Sequence, residues 1–254
     1  GGTVEVLEGA LQVSGGGTST GITRIGAGAV LNLPAGYVHE TGSAVLGEGT
    51  LSFTGGTQRV AGQLDSTGPI ILGTIVNIDG DQDLLGSATL TGTLGGTGTV
   101  GIAGTLNWTD GSMIGAGKTV VRPGATMTIS STNYKDLSRV IEVDGTAEYT
   151  GSNLRFGATT TPGTIRILSG GTFNAVGDGD FGTYNSGAHE IVNEGTFTRA
   201  GAGTTTVNSS TITMALVMDG KAYIGNVGDS RTYLWSAAGL RSAAPSAASF
   251  CSPA

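Results

Sequence analysis

Apolar residues in this chain alternate with polar ones instead of recurring every third or fourth position. Leu11 and Val13, Leu51 and Phe53, Leu106 and Trp108, Met127 and Ile129, and Ala147 and Tyr149 are each separated by a single polar residue. Alternation of period two puts the apolar side chains on one face of a β-strand and the polar ones on the other. Helical periodicity is absent. The alternating segments are short, and most are preceded by Gly and then Thr or Ala, which predicts many brief strands separated by tight corners.

The segments form a repeat. Clear copies are Gly9-Ala10-Leu11-Gln12-Val13, Gly49-Thr50-Leu51-Ser52-Phe53, Gly104-Thr105-Leu106-Asn107-Trp108 and Gly145-Thr146-Ala147-Glu148-Tyr149. Gly171-Thr172-Phe173-Asn174 and Gly195-Thr196-Phe197-Thr198 are shorter copies. Two more, starting at Gly28 and Gly124, carry one extra residue, and looser ones begin near Gly73 and Gly86. The starts are evenly spaced from Gly9 to Gly49 and from Gly104 to Gly145, and uneven between Gly49 and Gly104. A repeat of ~20 residues built from short strands is one coil of a β-solenoid. One coil cannot bury its inward face alone, but stacked coils ~4.8 Å apart bury a continuous apolar column. The expected fold is therefore all-β: a parallel β-helix over residues 1–207, about ten coils and roughly 45–50 Å long. A β-sandwich with frequent turns is the alternative, and predicts a less regular recurrence. Gly is expected at corners where φ is positive and a Cβ would clash.

Composition narrows the picture. There are 47 Gly among 254 residues and only 12% charged residues. A helical bundle is disfavoured, because Gly costs about 1 kcal/mol per helical position relative to Ala. Collagen would need Gly at every third position. A charged disordered chain does not fit 38% hydrophobic residues. The net charge of −7 is spread thinly, which favours solubility and leaves no basic footprint for nucleic acid. The single cysteine, Cys251, can build neither a disulfide framework within the chain nor a Cys-based metal site. No apolar run approaches the ~18 residues of a membrane-spanning helix. The chain opens Gly1-Gly2-Thr3 without Met, as a fragment or processed product would. Low Cys and low Lys suit an exported protein of a bacterial surface.

Gly104-Thr105-Leu106-Asn107-Trp108-Thr109-Asp110-Gly111-Ser112-Met113-Ile114-Gly115-Ala116-Gly117 resembles repeats of bacterial secreted β-helix adhesins and autotransporter-like surface proteins. Gly195 to Thr206 is similar to them too. The resemblance covers residues 1–207 and is one of repeat style. It implies an extracellular or cell-surface, non-catalytic scaffold without a cofactor, whose partner is a surface glycan or protein.

The C-terminal stretch reads differently. Thr211 to Met218, the turn Asp219-Gly220 and Lys221 to Val227 have the form of a β-hairpin with a two-residue type I′ turn. A third strand follows at Thr232 to Trp235. Ala222-Tyr223-Ile224-Gly225-Asn226-Val227-Gly228-Asp229-Ser230-Arg231-Thr232-Tyr233-Leu234 resembles the PPM-type (protein phosphatase 2C) family of metal-dependent serine/threonine phosphatases. That resemblance covers about residues 203–241. It implies an activity run by two Mg²⁺ or Mn²⁺ ions, with Asp229 close to the metal centre. The family's Asp-Gly-His-Gly, Ser-Asp-Gly and Asp-Asn blocks are missing, and one carboxylate cannot build a two-metal site. The expected organisation is a solenoid over 1–207, a phosphatase-like hairpin fragment over 208–241 and a disordered tail over 242–254, joined by a fusion near Gly203 to Thr206.

Four further features carry candidate chemistry. Asp79, Asp81 and Asp83 begin like a calcium loop, but the sixth and twelfth positions are Leu84 and Leu90 where that loop wants Gly and Glu. They read as an acidic turn, as does Asp178-Gly179-Asp180. Gly26-Ala27-Gly28 and Gly115-Ala116-Gly117 lack the following helix that a phosphate loop needs. Thr-x-Thr triplets hint at an ice-binding face but do not recur at coil spacing. Residues 131–142 form a Gly-free polar stretch in the middle of the repeats. It is expected to protrude as a loop or helical turn, with Tyr134, Lys135 and Arg139 as contact residues for a partner.

Overall fold

The computed structural model describes residues 1–184 and 189–207 in full. Beyond them it describes the backbone of strands Thr211–Met218, Lys221–Gly228, Thr232–Ser236 and Gly239–Ala243. Among the described residues every regular element is a strand, and no helix is long and apolar enough to cross a membrane. The chain winds through three parallel walls once per coil, for about ten coils. It is a β-solenoid, as the repeat predicts. One wall begins with Thr3–Val6, Ile22–Ile25, Ala44–Gly47 and Gln63–Ser66. A second is a ten-stranded sheet running from Ala10–Gln12 through Thr105–Trp108 to Thr196–Arg199. The third begins at Gly17–Ser19 and joins the continuation of the first through the long strands Ser112–Val121 and Lys135–Val143.

Strict register converts the alternation into a core. Leu31, Leu51, Ile70, Ala88, Leu106, Met127, Ala147, Phe173 and Phe197 stack one above another. Leu33, Phe53, Leu72, Leu90, Trp108, Ile129, Tyr149 and Ala175 form a second column beside them, all buried. Burying a Leu-sized side chain contributes about 1.5–3 kcal/mol, so this stack, and not the polar surface, holds the rod together.

The same register corrects the repeat in the middle of the chain. Leu51 lies opposite Ile70, Ile70 opposite Ala88, and Ala88 opposite Leu106, so the coils there are as even as those elsewhere. The corner between Gly49 and Gly86 is Gly68, whereas Gly73 follows the strand Ile70–Leu72. The two reasons expected for glycine, a positive φ and a Cβ clash, separate at Gly104 and Gly124. At Gly104 a Cβ would collide with the Gly86 carbonyl oxygen of the preceding coil, and φ is not positive. Close approach of stacked backbones therefore demands glycine there. Gly124 is the opposite case: φ is 81° and the space around it is open. It sits third in Arg122-Pro123-Gly124-Ala125, where the Ala125 N–H donates to the Arg122 carbonyl at 3.0 Å, a type II turn.

Residues 131–142 do not protrude as expected. Only 131–134 form a loop, while Lys135–Val143 is a strand paired with Ser112–Val121 on one side. On the other side it pairs with Leu154–Phe156 and Thr164–Ile167. Lys135, Leu137, Arg139, Ile141 and Val143 are its inward positions and all are buried. Lys135 and Arg139 are cations, which disguises the alternation as a polar stretch. After the last coil, Thr211–Met218 pairs in parallel with Glu190–Asn193 and antiparallel with Lys221–Gly228, Met218 opposite Lys221. Thr232–Ser236 pairs antiparallel with Gly239–Ala243. Asp229, the Asp219-Gly220 turn and the end of the chain from 244 lie outside the described residues.

Candidate functional site: an aromatic and arginine cluster on the third wall

The loop 131–134 is stitched to the coils on either side. Ser131 has φ 74° and its hydroxyl donates to the Thr109 carbonyl of the preceding coil. The Asn133 side-chain amide donates to Asp110 Oδ2 at 2.9 Å, and Ser152 Oγ from the following coil donates to the Thr132 carbonyl at 2.7 Å. Beneath the loop, Lys135 Nζ donates to the Asn133 carbonyl at 2.6 Å and the Ser131 carbonyl at 3.2 Å. Burial lowers the pKa of this ammonium, and the nearby Asp110 carboxylate partly restores it.

Lys135 therefore serves the fold and is not exposed to a partner, contrary to its expected contact role. Arg139 needs the same correction. Its guanidinium lies inside the rod and donates to the carbonyls of Gly98 (2.8 Å), Lys118 (2.9 Å) and Ile114 (3.3 Å). It sits at the register shift between Ile114, opposite Ser138, and Lys118, opposite Val140. Burial pulls its pKa down to about 10, still far above neutrality, so it stays charged.

Tyr134, the third expected contact residue, is exposed at 53% and belongs to a cluster that the sequence does not reveal. The Arg155 guanidinium carbon lies 4.5 Å from the centre of the Tyr134 ring and 4.6 Å from that of Tyr184, itself 54% exposed. Arg155 is held by a two-pronged ion pair, Nε to Asp136 Oδ1 at 2.7 Å and Nη2 to Asp136 Oδ2 at 3.0 Å. Tyr134 and Asp136 come from one coil, Arg155 from the next and Tyr184 from the one after. Beside them a shallow groove is floored by Asp110, Ser112 and Asn133. The only available signal in the sequence is coil arithmetic: Asp136 and Arg155 are register partners one coil apart.

The acidic turn is occupied by the rod's own donors. Asp79 accepts from Arg59 Nε at 2.8 Å and from the Thr97 N–H at 3.2 Å. Asp81 accepts from the Thr99 N–H at 2.6 Å, and Asp83 from Arg122 Nη2 at 2.8 Å. Asp178 and Asp180 likewise accept from Arg199 and the Thr206 N–H, both at 2.6 Å. Among the described residues, no three His, Cys, Asp or Glu side chains gather as metal ligands would.

No protein-family model, no curated protein and no solved structure matches the chain. The two resemblances noted in the sequence thus rest on their residues alone.

Proposed function

We propose that the chain is a non-catalytic, extracellular or cell-surface module, adhesin-like in character, that binds a surface glycan or protein. The observation that carries this reading is the Tyr134–Arg155–Tyr184 stack pinned by Asp136. Tyr and Arg supply most of the strong contacts in recognition surfaces. Here the guanidinium is already fixed between the rings by neighbouring coils, so little side-chain freedom remains to be lost on binding. The acidic turns and most arginines of the rod are engaged in bonds between coils, which suits a scaffold more than a reaction centre. The extracellular setting rests on the composition and the repeat style.

The test is a binding screen of the immobilised full chain against a panel of glycans and matrix proteins, beside a Tyr134→Ala/Tyr184→Ala variant. A partner is expected whose affinity falls about tenfold or more in the variant, the loss that removal of one or two strong contacts brings. Binding to nothing, or binding indifferent to both tyrosines, contradicts the reading. The same preparation is given para-nitrophenyl phosphate with Mn²⁺, with Asp229→Ala as control. Turnover that depends on Asp229 would replace this reading with that of a PPM-type phosphatase.

A further inference from the structure

The ten-stranded wall differs from the other two in what it presents outward. Its strands pair from Ala10–Gln12 to Thr196–Arg199 without a register shift, so the wall is regular along its length. Ser87, Thr105, Thr126, Thr146, Thr172 and Thr196 are direct register partners over successive coils. Thr105, Thr146, Thr172 and Thr196 follow the corner glycines of the repeat, and the register adds Ser87 and Thr126 to their column. Every member is at least partly exposed, and none uses its hydroxyl in a hydrogen bond within the described residues. Two residues further along the strands, the next column is Thr89, Asn107, Thr128, Glu148, Asn174 and Thr198, hydroxyls and amides interrupted by one carboxylate.

The wall is also almost uncharged. Across its ten strands the charged residues are Glu148 and Arg199, and Arg199 is an inward position that pairs with Asp178 beyond the strand. The other walls carry ion pairs such as Lys118–Glu142, Arg155–Asp136 and Arg59–Asp79. Among the described residues no aromatic ring faces outward from this wall: Phe53, Trp108, Tyr149 and Phe173 are buried and Phe197 packs against the core.

We propose that this wall is an ice-binding surface. Its hydroxyls repeat about every 4.8 Å between coils from Ser87 to Thr196, and about 6.7 Å along the strands that carry two of them, Ser87 with Thr89, Thr126 with Thr128 and Thr196 with Thr198. Those spacings are of the order of the oxygen repeats on the faces of hexagonal ice. Each Thr also presents a methyl group, over which first-shell water is orientationally restricted, while its hydroxyl anchors that water. β-Branching limits χ1, so the column holds one pattern without much rotamer freedom to lose. A column of neutral hydroxyls, with Glu148 in the neighbouring column as the one outward charge of these strands, suits ice better than a charged partner, and the lack of outward rings argues against a polysaccharide that would stack on them. The proposal is independent of the Tyr134–Arg155–Tyr184 cluster, which lies on another wall.

The test is partitioning of the full chain into slowly growing ice, together with inhibition of ice recrystallisation. The wild type is expected to concentrate in the ice and to keep crystals small. Thr126→Tyr/Thr146→Tyr breaks the flat column and is expected to lower the ice-bound fraction about tenfold. Thr126→Val/Thr146→Val keeps shape and fold while removing the hydroxyls, and is expected to lower it as well. Thr164→Tyr, on a different wall, is expected to leave it unchanged. Melting curves check each variant, and the valine pair carries the comparison if the tyrosine pair unfolds. Exclusion of the wild type from ice, or equal partitioning of the column variants and Thr164→Tyr, overturns the proposal. So does retention on crystalline cellulose without partitioning into ice, which would make the wall a polysaccharide surface.

Discussion

His39 shows how much the interior of the rod costs a single polar residue. It is buried, 5.1 Å from the Tyr37 ring centre and 6.1 Å from that of Phe53, and neither ring nitrogen has a hydrogen-bond partner among the described residues. Burial holds its pKa down at about 4, so it is neutral in the folded rod. Unfolding returns it to about 6.5, where the free imidazole takes up a proton. Between those values the unfolded chain binds more protons than the folded one, so stability falls as pH drops from about 6.5 to about 4, by about 3 kcal/mol in all. Denaturant melts of the wild type and His39→Leu check this. Between pH 7 and pH 4 the wild type should lose about 3 kcal/mol relative to the variant, which has no imidazole to protonate. A difference that stays constant with pH would show that His39 does not titrate on unfolding. Nothing in the flanking residues marks His39 as buried; its place is set by the register that puts it opposite Ser19 and Val60.

At the scale of strands and corners, the alternation and the Gly-Thr-apolar repeat are enough to read parallel strands, inward columns and a coil of ~20 residues. What escapes is anything that depends on the phase between coils. Gly68 and Gly73 both lie beside the apolar run Ile70-Ile71-Leu72, and only stacking on Gly49 marks Gly68 as the corner. Lys135 and Arg139 read as surface groups, because inward cations are legible only once the backbone carbonyls that receive them are in place. Two kinds of corner follow, and they should respond differently to mutation. Gly104→Ala forces stacked backbones apart and is expected to cost about 2–3 kcal/mol. Gly124→Ala meets open space and only the left-handed conformation opposes it, about 1–2 kcal/mol, while Gly124→Asn is expected to cost less still. Urea midpoints at constant m-value give the comparison. If Gly104→Ala is no worse than Gly124→Asn, close approach is not what selects glycine at the corners.

The whole molecule is a rod whose surface is assembled from residues far apart in the chain. Tyr134, Arg155 and Tyr184 meet on one wall, and the threonines from Thr105 to Thr196 line another, only because each coil lands in register on the last. Both functional readings depend on that register. It is tested most directly by a distance between spin labels at Thr105→Cys and Thr196→Cys in a Cys251→Ser background. Thr126, Thr146 and Thr172 stand between the two positions, one per coil. A narrow distribution centred at about 19 Å is therefore expected for the backbones, broadened by the label arms. A broad distribution, or one centred well away from that value, would contradict the stacked coils and both surfaces built on them.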